Sequence, residues 1–301
     1  MTTTSTTLAL VGSDYYRAFA QQAQFSEFDL LRDAFAARSV RLECVDAYDP
    51  AVRWDRYAAV LPLGFWGYHK DGPAFLRWLG QLEGQGTRLL NPPAVLRWNM
   101  DKSYLLDLAR AGVDVAPLLH FPVGSAPDLA AELSRVGWDR YVLKPAISAN
   151  SEHTRVGHGP PDRDLLDLAA RILTRCGLLL QPFFPEIPQT GEWSLIVAGD
   201  TLLHAVCKLP KAGDFRSQPD HGGTVSRATP TPALAAQTLS IVQAAARLHG
   251  PLTYARVDGF LRDGKLHLIE LELIEPYLFM QGAGPDSPRR FCAAVLAQLP
   301  A

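Results

Sequence analysis

Four charged residues stand at alternate positions near the C-terminal end of the chain. Arg256 and Asp258 are two residues apart, and Glu270 and Glu272 are two residues apart beyond an Asp-Gly dipeptide that strongly indicates a hairpin. Each pair shares one face, because successive side chains of a strand point to opposite faces. Three bare carboxylates there would repel each other, so Mg²⁺, which takes carboxylates together with nucleotide phosphates, is their natural partner. A solvated face with ion pairs is the alternative, and it is slightly disfavoured by Glu275 just beyond.

A lysine ends a second predicted strand, Tyr141 to Lys144. Small residues including Ser148 and Ser151 follow it, so that backbone N–H groups could approach a phosphate beside the lysine charge. The segment lacks glycine, and a solvated surface lysine is the common alternative. Lys102, at the start of the helix after Asn91, has the same alternative.

A basic segment with one glycine runs from Lys211 to Arg216, and Gly222 and Gly223 follow it. Arg216 could bind phosphate or carboxylate through two parallel hydrogen bonds. A flexible surface loop explains the segment equally well. His221 and the other histidines lack metal-ligand spacing, so we predict no metal there.

Composition excludes several classes of function. The 301 residues are 48% apolar and 20% charged with a formal net charge of -2, which offers no attraction for nucleic acid or an anionic membrane. No stretch approaches the ~18 apolar residues of a membrane span, and the N-terminus lacks a secretory signal. We predict a cytoplasmic enzyme, without nucleic-acid or membrane partners, whose first seven residues are disordered. The four separated cysteines indicate reduced structural thiols.

Several well-known motifs are missing. The chain has no GxSxG, HExxH or CxxC, so nucleophilic hydrolases and zinc enzymes have no support. It also lacks GxxxxGK[ST], and no GxGxxG follows the first strand. A nucleotide, if bound, is not held by a P-loop or a dinucleotide fingerprint.

The N-terminal third alternates strands with helices. Strands are predicted at residues 8–11, 40–45 and 57–63, and helices at 29–37 and 72–82. This order favours an α/β fold with a parallel sheet. Ligands bind beyond the carboxyl ends of such strands, so the candidate substrate-binding residues are Ser13, Asp14, Trp66, Tyr68 and His69.

Two further lobes are predicted beyond a boundary at the Asn91-Pro92-Pro93 segment. A helix over 100–111 ends at Gly112, and helices at 127–136 and 165–176 with strands at 141–144 and 178–181 form a small α+β lobe. The proline-rich residues 181–188 are predicted to be a hinge without regular structure. Antiparallel strands follow at 193–197, 201–208, 254–261 and 266–273. The predicted domains are residues 1–92, 93–181 and 182–301.

The chain resembles the ATP-grasp superfamily in motifs that cover most of its length. In chain order these are Lys102, Lys144 in VLKP, QPFFPEI from Gln181, Glu192, ARVD ending at Asp258, and IELELIEP with Glu270 and Glu272. It is most similar to the glutathione-synthetase-like branch and to the cyclo-ligases of the cycloserine synthetase type, through a GDFR segment followed by GG. The resemblance implies α+β ATP-grasp lobes behind a Rossmann-like pre-ATP-grasp domain.

The resemblance also implies a site. Lys102, Lys144, Ser148, Ser151, Gln181, Phe183, Phe184, Glu186 and Lys208 would bind ATP. Gln181, Phe183 and Phe184 would contact adenine, and Glu186 would meet the ribose. Asp258, Glu270 and Glu272 would bind one or two Mg²⁺ ions, and Arg216 and Arg256 would stabilise the transferring phosphoryl group. Gly222 and Gly223 would lie against the substrate.

Two departures from the family pattern are visible. Glu272 stands where asparagine is usual, which adds a negative charge that a second Mg²⁺ could balance. The segment from Ser148 to Ser151 replaces glycines of many relatives, so side-chain hydroxyls and amides would contact the phosphates there.

The implied function is an ATP-dependent ligase that joins a carboxylate to an amine through an acyl phosphate and releases ADP and phosphate. Intramolecular closure of a ureido amino acid is one form of this reaction. A nucleotide-binding regulatory module without turnover, or a phosphotransferase on the same fold, are the alternatives. The predicted partners are a small-molecule carboxylate and an amine, and a homodimer is compatible with the sequence.

Overall fold

The computed structural model describes residues 6–217, 221–281 and 283–299. The N-terminal third holds a parallel sheet of three strands in the order β2-β1-β3, flanked by helices. Its elements are β1 (Thr7–Gly12), α1 (Asp14–Gln22), α2 (Glu27–Ala36), β2 (Arg41–Val45), β3 (Ala59–Gly64) and α3 (Gly72–Gly84). The predicted α/β alternation is confirmed.

Two predictions about this region are corrected. Ser13 and Asp14 do not form an open loop, because the Ser13 hydroxyl accepts a hydrogen bond from the Tyr16 N–H (3.3 Å) and caps α1, which begins at Asp14. Thr7 belongs to β1, so the predicted disordered tail does not reach it. Residues 1–5 of that tail lie outside the described residues.

A linker and a small lobe follow. Their elements are α4 (Pro93–Asn99), α5 (Tyr104–Arg110), β4 (Leu119–Phe121), α6 (Leu129–Val136), β5 (Arg140–Pro145), β6 (Arg155–His158), α7 (Arg163–Leu173) and β7 (Leu178–Pro182). The four strands form an antiparallel sheet in the order β4-β7-β5-β6. The predicted helix from residue 100 begins only at Tyr104, because the Lys102 N–H donates to the Ala146 carbonyl (2.9 Å) instead of joining the helix.

The C-terminal part is built on a five-stranded antiparallel sheet in the order β10-β9-β8-β11-β12. Its elements are α8 (Glu186–Thr190), β8 (Glu192–Ala198), β9 (Thr201–Leu209), β10 (Thr224–Ala228), α9 (Pro232–His249), β11 (Tyr254–Arg262), β12 (Lys265–Glu272) and α10 (Asp286–Leu296). The predicted strands are confirmed. The two long helices were not predicted.

The proline-rich segment is only partly a hinge. β7 continues to Pro182, and α8 begins at Glu186, so residues 186–190 are helical. Pro188 is tolerated because it lies in the first turn, where backbone N–H groups have no acceptor within the helix.

Buried amide side chains fix the free edge of β12. The Asn99 side chain donates to the Leu271 carbonyl (2.7 Å) and accepts from the Leu273 N–H (2.9 Å). Asn91 likewise donates to the Leu273 carbonyl (2.9 Å), and the Tyr104 hydroxyl accepts from the Leu271 N–H (2.8 Å). Unpaired backbone groups in a buried position are costly, so these contacts satisfy the edge and set the position of β12.

A β-bulge separates two halves of the β11–β12 pair. Asp258 is opposite Glu270, whereas Gly259 is opposite Leu268, so Ile269 has no partner in the ladder. The extra residue interrupts the alternation of side chains between the two faces of the sheet. Leu268 and Leu271 therefore face the same core beside α9, although they are three residues apart. A Cβ atom at Gly259 would lie 2.4 Å from the His267 carbonyl oxygen, so glycine is required at this close approach.

The opposite face of the C-terminal sheet is partly polar. Ile196 and Val206 on this face pack against α10 and the N-terminal domain, while Ser194, Arg256 and Asp258 lie beside them. Among the residues that the structure describes, no helix is long and apolar enough to cross a membrane. All four cysteines are free, as predicted.

Candidate active site

Three carboxylates meet on the polar face of the C-terminal sheet. Asp258 on β11 is directly opposite Glu270 on β12, and Glu272 is opposite Arg256. One ligand oxygen from each carboxylate lies within 4.8 Å of the others, and no second such group of acidic, histidine or cysteine ligands occurs in residues 6–217, 221–281 and 283–299. The shared face predicted from the sequence is confirmed, and the donor set suits a hard divalent cation.

Asp258 is the most deeply buried of these carboxylates, with 1% of its surface exposed. It accepts hydrogen bonds from the Arg256 guanidinium (Nη2 to Oδ2, 2.8 Å) and from the Ser194 hydroxyl (2.5 Å). Arg256 also pairs with Glu272 and donates to the Tyr277 carbonyl (3.2 Å). The guanidinium therefore fixes two of the three carboxylates.

Lys208 is the second cation on this face. Its Nζ is 2.7 Å from Glu192 Oε1 and 3.9 Å from Asp258 Oδ2, and Glu192 also accepts from the Ser217 hydroxyl. Although burial acts in the opposite direction, Asp258 and Glu192 raise the pKa of Lys208. Lys208 is therefore a fixed positive charge beside the carboxylates.

Lys102 and Lys144 approach the carboxylates from the linker and the small lobe. Lys102 Nζ donates to the Ser148 carbonyl (2.6 Å) and lies 3.2 Å from Glu270 Oε1. Lys144 has no hydrogen-bond or ion-pair partner among the described residues. Burial lowers the pKa of Lys144 to about 8. This lysine is a half-buried cation that is near Glu270 but forms no direct ion pair among the described residues.

The charges of the site depend on one another. Burial alone would raise the pKa of Asp258 and of Glu270, but Arg256 and Lys208 hold the first below its usual value, and Lys102 and Lys144 hold the second below its usual value. Burial raises the pKa of Glu272, and Arg256 offsets only part of this effect. Divalent cations would further favour the ionised carboxylates.

The predicted adenine segment lies between the two lobes. Gln181 on β7 is buried, and its Nε2 has no partner among the described residues. Phe183 lies under the Arg140 guanidinium (3.5 Å), whereas Phe184 stacks on Phe260 at 4.6 Å in a small core. Glu186 Oε1 pairs with Arg262 (2.6 Å), and its Oε2 is buried with no partner in the same part of the chain. Gln181 and Glu186 thus each have a polar atom without a partner that a ligand could contact. The ring of Phe184 instead packs against Phe260.

Arg216 does not contact the carboxylates. Its guanidinium pairs with Asp214 (2.8 Å), and it shares with that residue a turn on the loop before β10. This pairing lowers the pKa of Asp214. Gly222 packs near Lys211, and the neighbouring His221 lies 3.4 Å from the Asn150 carbonyl, so the loop reaches the segment that contains Ser148 and Ser151.

The loop after β3 forms the wall of the site on the side of the N-terminal domain. The Trp66 indole donates to the Glu275 carbonyl (3.1 Å), and His69 Nε2 lies 2.9 Å from Glu152 in the small lobe. Tyr68 is buried, and after burial itself the Glu275 carboxylate does most to raise its pKa. The structure therefore brings Trp66, Tyr68 and His69 to the site.

Ser13 and Asp14 are explained by local structure. Ser13 caps α1, and the exposed Asp14 carboxylate pairs with Arg17 (3.0 Å) one turn along the same helix. Within the described residues, no contact joins these two residues to the carboxylates. Their predicted role toward a substrate remains a prediction.

Comparison with known proteins identifies the fold and the kind of enzyme. A family model described as the N-terminal domain of D-cycloserine synthetase DcsG matches residues 8–91. The cycloserine biosynthesis protein DcsG of Streptomyces lavendulae is 29% identical, over 89% of this chain and 92% of that protein. A crystal structure of D-cycloserine synthetase DcsG superimposes with a TM-score of 0.82 at 26% identity, over 98% of this chain and 100% of that one.

A second solved structure has the same architecture. The D-alanine–D-alanine ligase of Bacillus anthracis in complex with ATP gives a TM-score of 0.68 at 15% identity, over 97% of this chain and 96% of that one. The chain has the ATP-grasp fold, and its likeness to DcsG over nearly all of both chains supports an ATP-dependent ligase. The resemblance stated from the sequence motifs is thereby confirmed, as is the ATP-grasp fold behind a Rossmann-like domain.

A buried glutamate holds the C-terminal loop of the ligase and has no recognisable signal in the sequence. Glu27 on α2 accepts from the Leu278 N–H (3.0 Å) and the Met280 N–H (2.9 Å), while His204 Nε2 lies 2.8 Å from the Leu278 carbonyl. The same loop supplies the Tyr277 carbonyl to Arg256. Because the two contacts of Glu27 join residues about 250 positions apart, no local pattern could have revealed them.

We expect Glu27 to make the stability of the ligase depend on pH. Burial raises the pKa of Glu27 from 4.5 to about 7, so between these values the folded chain binds a proton that the unfolded chain has lost. This contribution is fully present below pH 4.5 and is lost as pH rises to about 7, a loss of about 3 kcal/mol. Urea titrations at pH 5 and pH 7 should show it in the wild type, and Glu27→Gln should lack that part of the change. An equal change in both proteins would contradict the assignment.

Proposed function

We propose that the ligase activates the carboxylate of a small ureido amino acid and closes it onto a nitrogen of the same molecule. The observation that carries the ligase chemistry is the group of Asp258, Glu270 and Glu272, which lies among four cations between the lobes. The preference for ring closure rests on the likeness to D-cycloserine synthetase, which extends over nearly all of both chains.

The donor atoms fit the expected cofactor and nucleotide. Three carboxylates within 4.8 Å of one another suit one or two Mg²⁺ ions, which would neutralise phosphate charge when bound. Lys102 and Lys144 would hold the phosphates, and the free polar atoms of Gln181 and Glu186 would face adenine and ribose. Lys144 supports this arrangement most directly, because a half-buried lysine without a direct ion pair is unfavourable unless a ligand supplies one.

The residues of the chain then position two reactions. A carboxylate oxygen of the substrate attacks the γ-phosphorus of ATP, the bond to the β-phosphate oxygen breaks, and ADP leaves. Arg256 and Lys208 are fixed charges that would stabilise this transfer without moving. The substrate nitrogen next attacks the acyl carbon, loses a proton and expels phosphate. No side-chain nucleophile is required.

Two other functions would use the same site differently. A regulatory module that binds a nucleotide without turnover has no need to retain one buried and two half-buried candidate metal ligands with their paired cations. A phosphotransferase would release a stable phosphorylated product.

The ATP supply of the cytoplasm suits the ligase reaction, and the proposed partners are a small carboxylate and amine.

The proposal is tested by ADP release from Mg-ATP across amino acids, dipeptides and ureido amino acids, with hydroxylamine added in parallel. We expect a ureido amino acid to give the highest rate, a hydroxamate in the trapped reaction and, without the trap, a product lighter than the substrate by one water. A product containing two substrate molecules would instead indicate intermolecular ligation. Nucleotide binding without ADP release on any substrate would contradict the ligase and favour the regulatory module.

A further inference from the structure

Glu275 is a carboxylate at the edge of the site that belongs to neither the metal group nor an ion pair. It follows β12 by three residues, and its backbone carbonyl accepts the Trp66 indole N–H (3.1 Å). It therefore lies where the C-terminal sheet meets the wall formed by Trp66 and Tyr68. It is not among the three carboxylates that share a possible metal position.

The side chain of Glu275 has no partner in the described part of the chain. Its Oε2 atom is buried and receives no hydrogen bond, and neither oxygen forms an ion pair. Burial raises the pKa of Glu275 well above its usual value, with Glu272 acting in the same direction. Ionisation of a carboxyl group that is out of water and without a donor or a cation is costly, and a cationic partner from outside the chain would offset this cost.

The cations nearest to Glu275 are engaged elsewhere. Lys102 and Arg256 are the positive charges that act most strongly on it. Lys102 is bonded to Glu270 and to the Ser148 carbonyl, and Arg256 is bonded to Asp258 and Glu272. Neither can turn to Glu275 without abandoning another buried charge. The partner must therefore arrive with the substrate.

We propose that Glu275 binds the α-ammonium group of an amino-acid substrate and so selects substrates that carry one beside the carboxylate to be activated. This inference rests on the proposed function. A carboxylate beside the carboxylate–Mg²⁺ group suits a ligand whose acidic end faces the cations and whose cationic end faces Glu275. The Trp66 indole, bonded to the Glu275 backbone carbonyl, and the buried Tyr68 belong to the adjoining wall of the site.

The test combines a change in the protein with a change in the substrate. The best ureido amino acid from the substrate panel is compared with its desamino analogue, in which hydrogen replaces the α-amino group, using wild type and Glu275→Gln. For the wild type we expect kcat/KM to fall about 100-fold on loss of the amino group, because one charge of a buried pair is left without its partner. For Glu275→Gln we expect a similar loss on the natural substrate and at most about a 3-fold difference between the two substrates.

Control variants separate a contact to the amino group from a general loss of charge or of folding. Glu83→Gln, which removes a surface carboxylate paired with Arg97, should retain wild-type discrimination. KM values for ATP and Mg²⁺ should stay within about 2-fold of wild type in Glu275→Gln, because the proposed contact is to the amino acid alone. Glu275→Asp keeps the charge and should restore part of the discrimination, which gives a second readout if the amide variant is unstable.

Three outcomes would overturn the inference. Equal discrimination in wild type and Glu275→Gln would leave the ligase intact and remove the assigned role. A large shift of the Mg²⁺ dependence with unchanged discrimination would make Glu275 a metal ligand. A wild type that releases no ADP with any carboxylate would overturn the proposed function together with this inference.

Discussion

Asp258→Asn is expected to lower kcat/KM for carboxylate-dependent ADP release about 1000-fold and to shift the Mg²⁺ dependence to higher concentration. Asp258 is the buried centre of the site, bonded to Arg256 and Ser194 and opposite Glu270. Loss of its charge removes a metal ligand and alters the fixed charges around the transferring phosphoryl group, and one such electrostatic contribution is worth roughly 100- to 1000-fold. Steady-state ADP release at several Mg²⁺ concentrations measures both effects.

The fold of Asp258→Asn should be retained. Arg256 keeps Glu272 and the Tyr277 carbonyl, and Lys208 keeps Glu192, so neither cation is left unpaired. Circular dichroism and the melting temperature provide this check, and Glu83→Gln is the matched surface control. Wild-type activity in folded Asp258→Asn would contradict a role in the mechanism for the group of Asp258, Glu270 and Glu272.

Lys144→Met should abolish ATP binding and stabilise the free chain. Lys144 forms no direct ion pair among the described residues, and burial lowers its pKa from 10.5 to about 8, so at pH 7 the folded chain carries its charge at a cost. Removing that cost should raise the free energy of unfolding by about 1 to 3 kcal/mol at pH 7. The unfolded chain binds more protons between pH 8 and 10.5, so the advantage of the variant should shrink as pH rises through that window.

Lys102→Met is the informative comparison. Lys102 is bonded to the Ser148 carbonyl and to Glu270, so its removal should lower the free energy of unfolding by about 1 to 3 kcal/mol while also weakening ATP binding. Denaturant titrations at pH 7 and 9 measure the free energy of unfolding of the two variants, and nucleotide titrations measure their affinity for ATP. Destabilisation of the same size in both variants would contradict the view that Lys144, unlike Lys102, has no bonded partner within the chain.

The parts of the fold that could be predicted are those with a local signal. The Asp-Gly turn and the alternate charges predicted the hairpin and the shared face of Asp258, Glu270 and Glu272, and the structure confirms their register. β1 and β3 were visible as short apolar runs ended by polar or glycine residues. α9 was missed because its many alanine and leucine residues do not form one clear apolar stripe.

The parts that could not be predicted depend on contacts between distant segments. Asn99 completes the edge of β12, Glu27 holds the loop beyond it, and the bulge at Ile269 sets the parity of the strand. Each of these needs a partner far away in the sequence. The same limit applies to the site, where the partners of Arg216 and Phe184 turned out to be Asp214 and Phe260. The roles of the predicted site residues toward ATP, Mg²⁺ and substrate, and the two boundaries between the three domains, remain predictions.

The central claim is that the substrate carboxylate is activated as an acyl phosphate. The most direct measurement uses a ureido amino acid whose carboxylate carries ¹⁸O, with mass analysis of the released phosphate. If the carboxylate attacks the γ-phosphorus and the nitrogen then displaces phosphate from the acyl carbon, one ¹⁸O atom moves to phosphate in each turnover. Phosphate that carries no ¹⁸O, with ADP release and amide formation unchanged, would contradict the account.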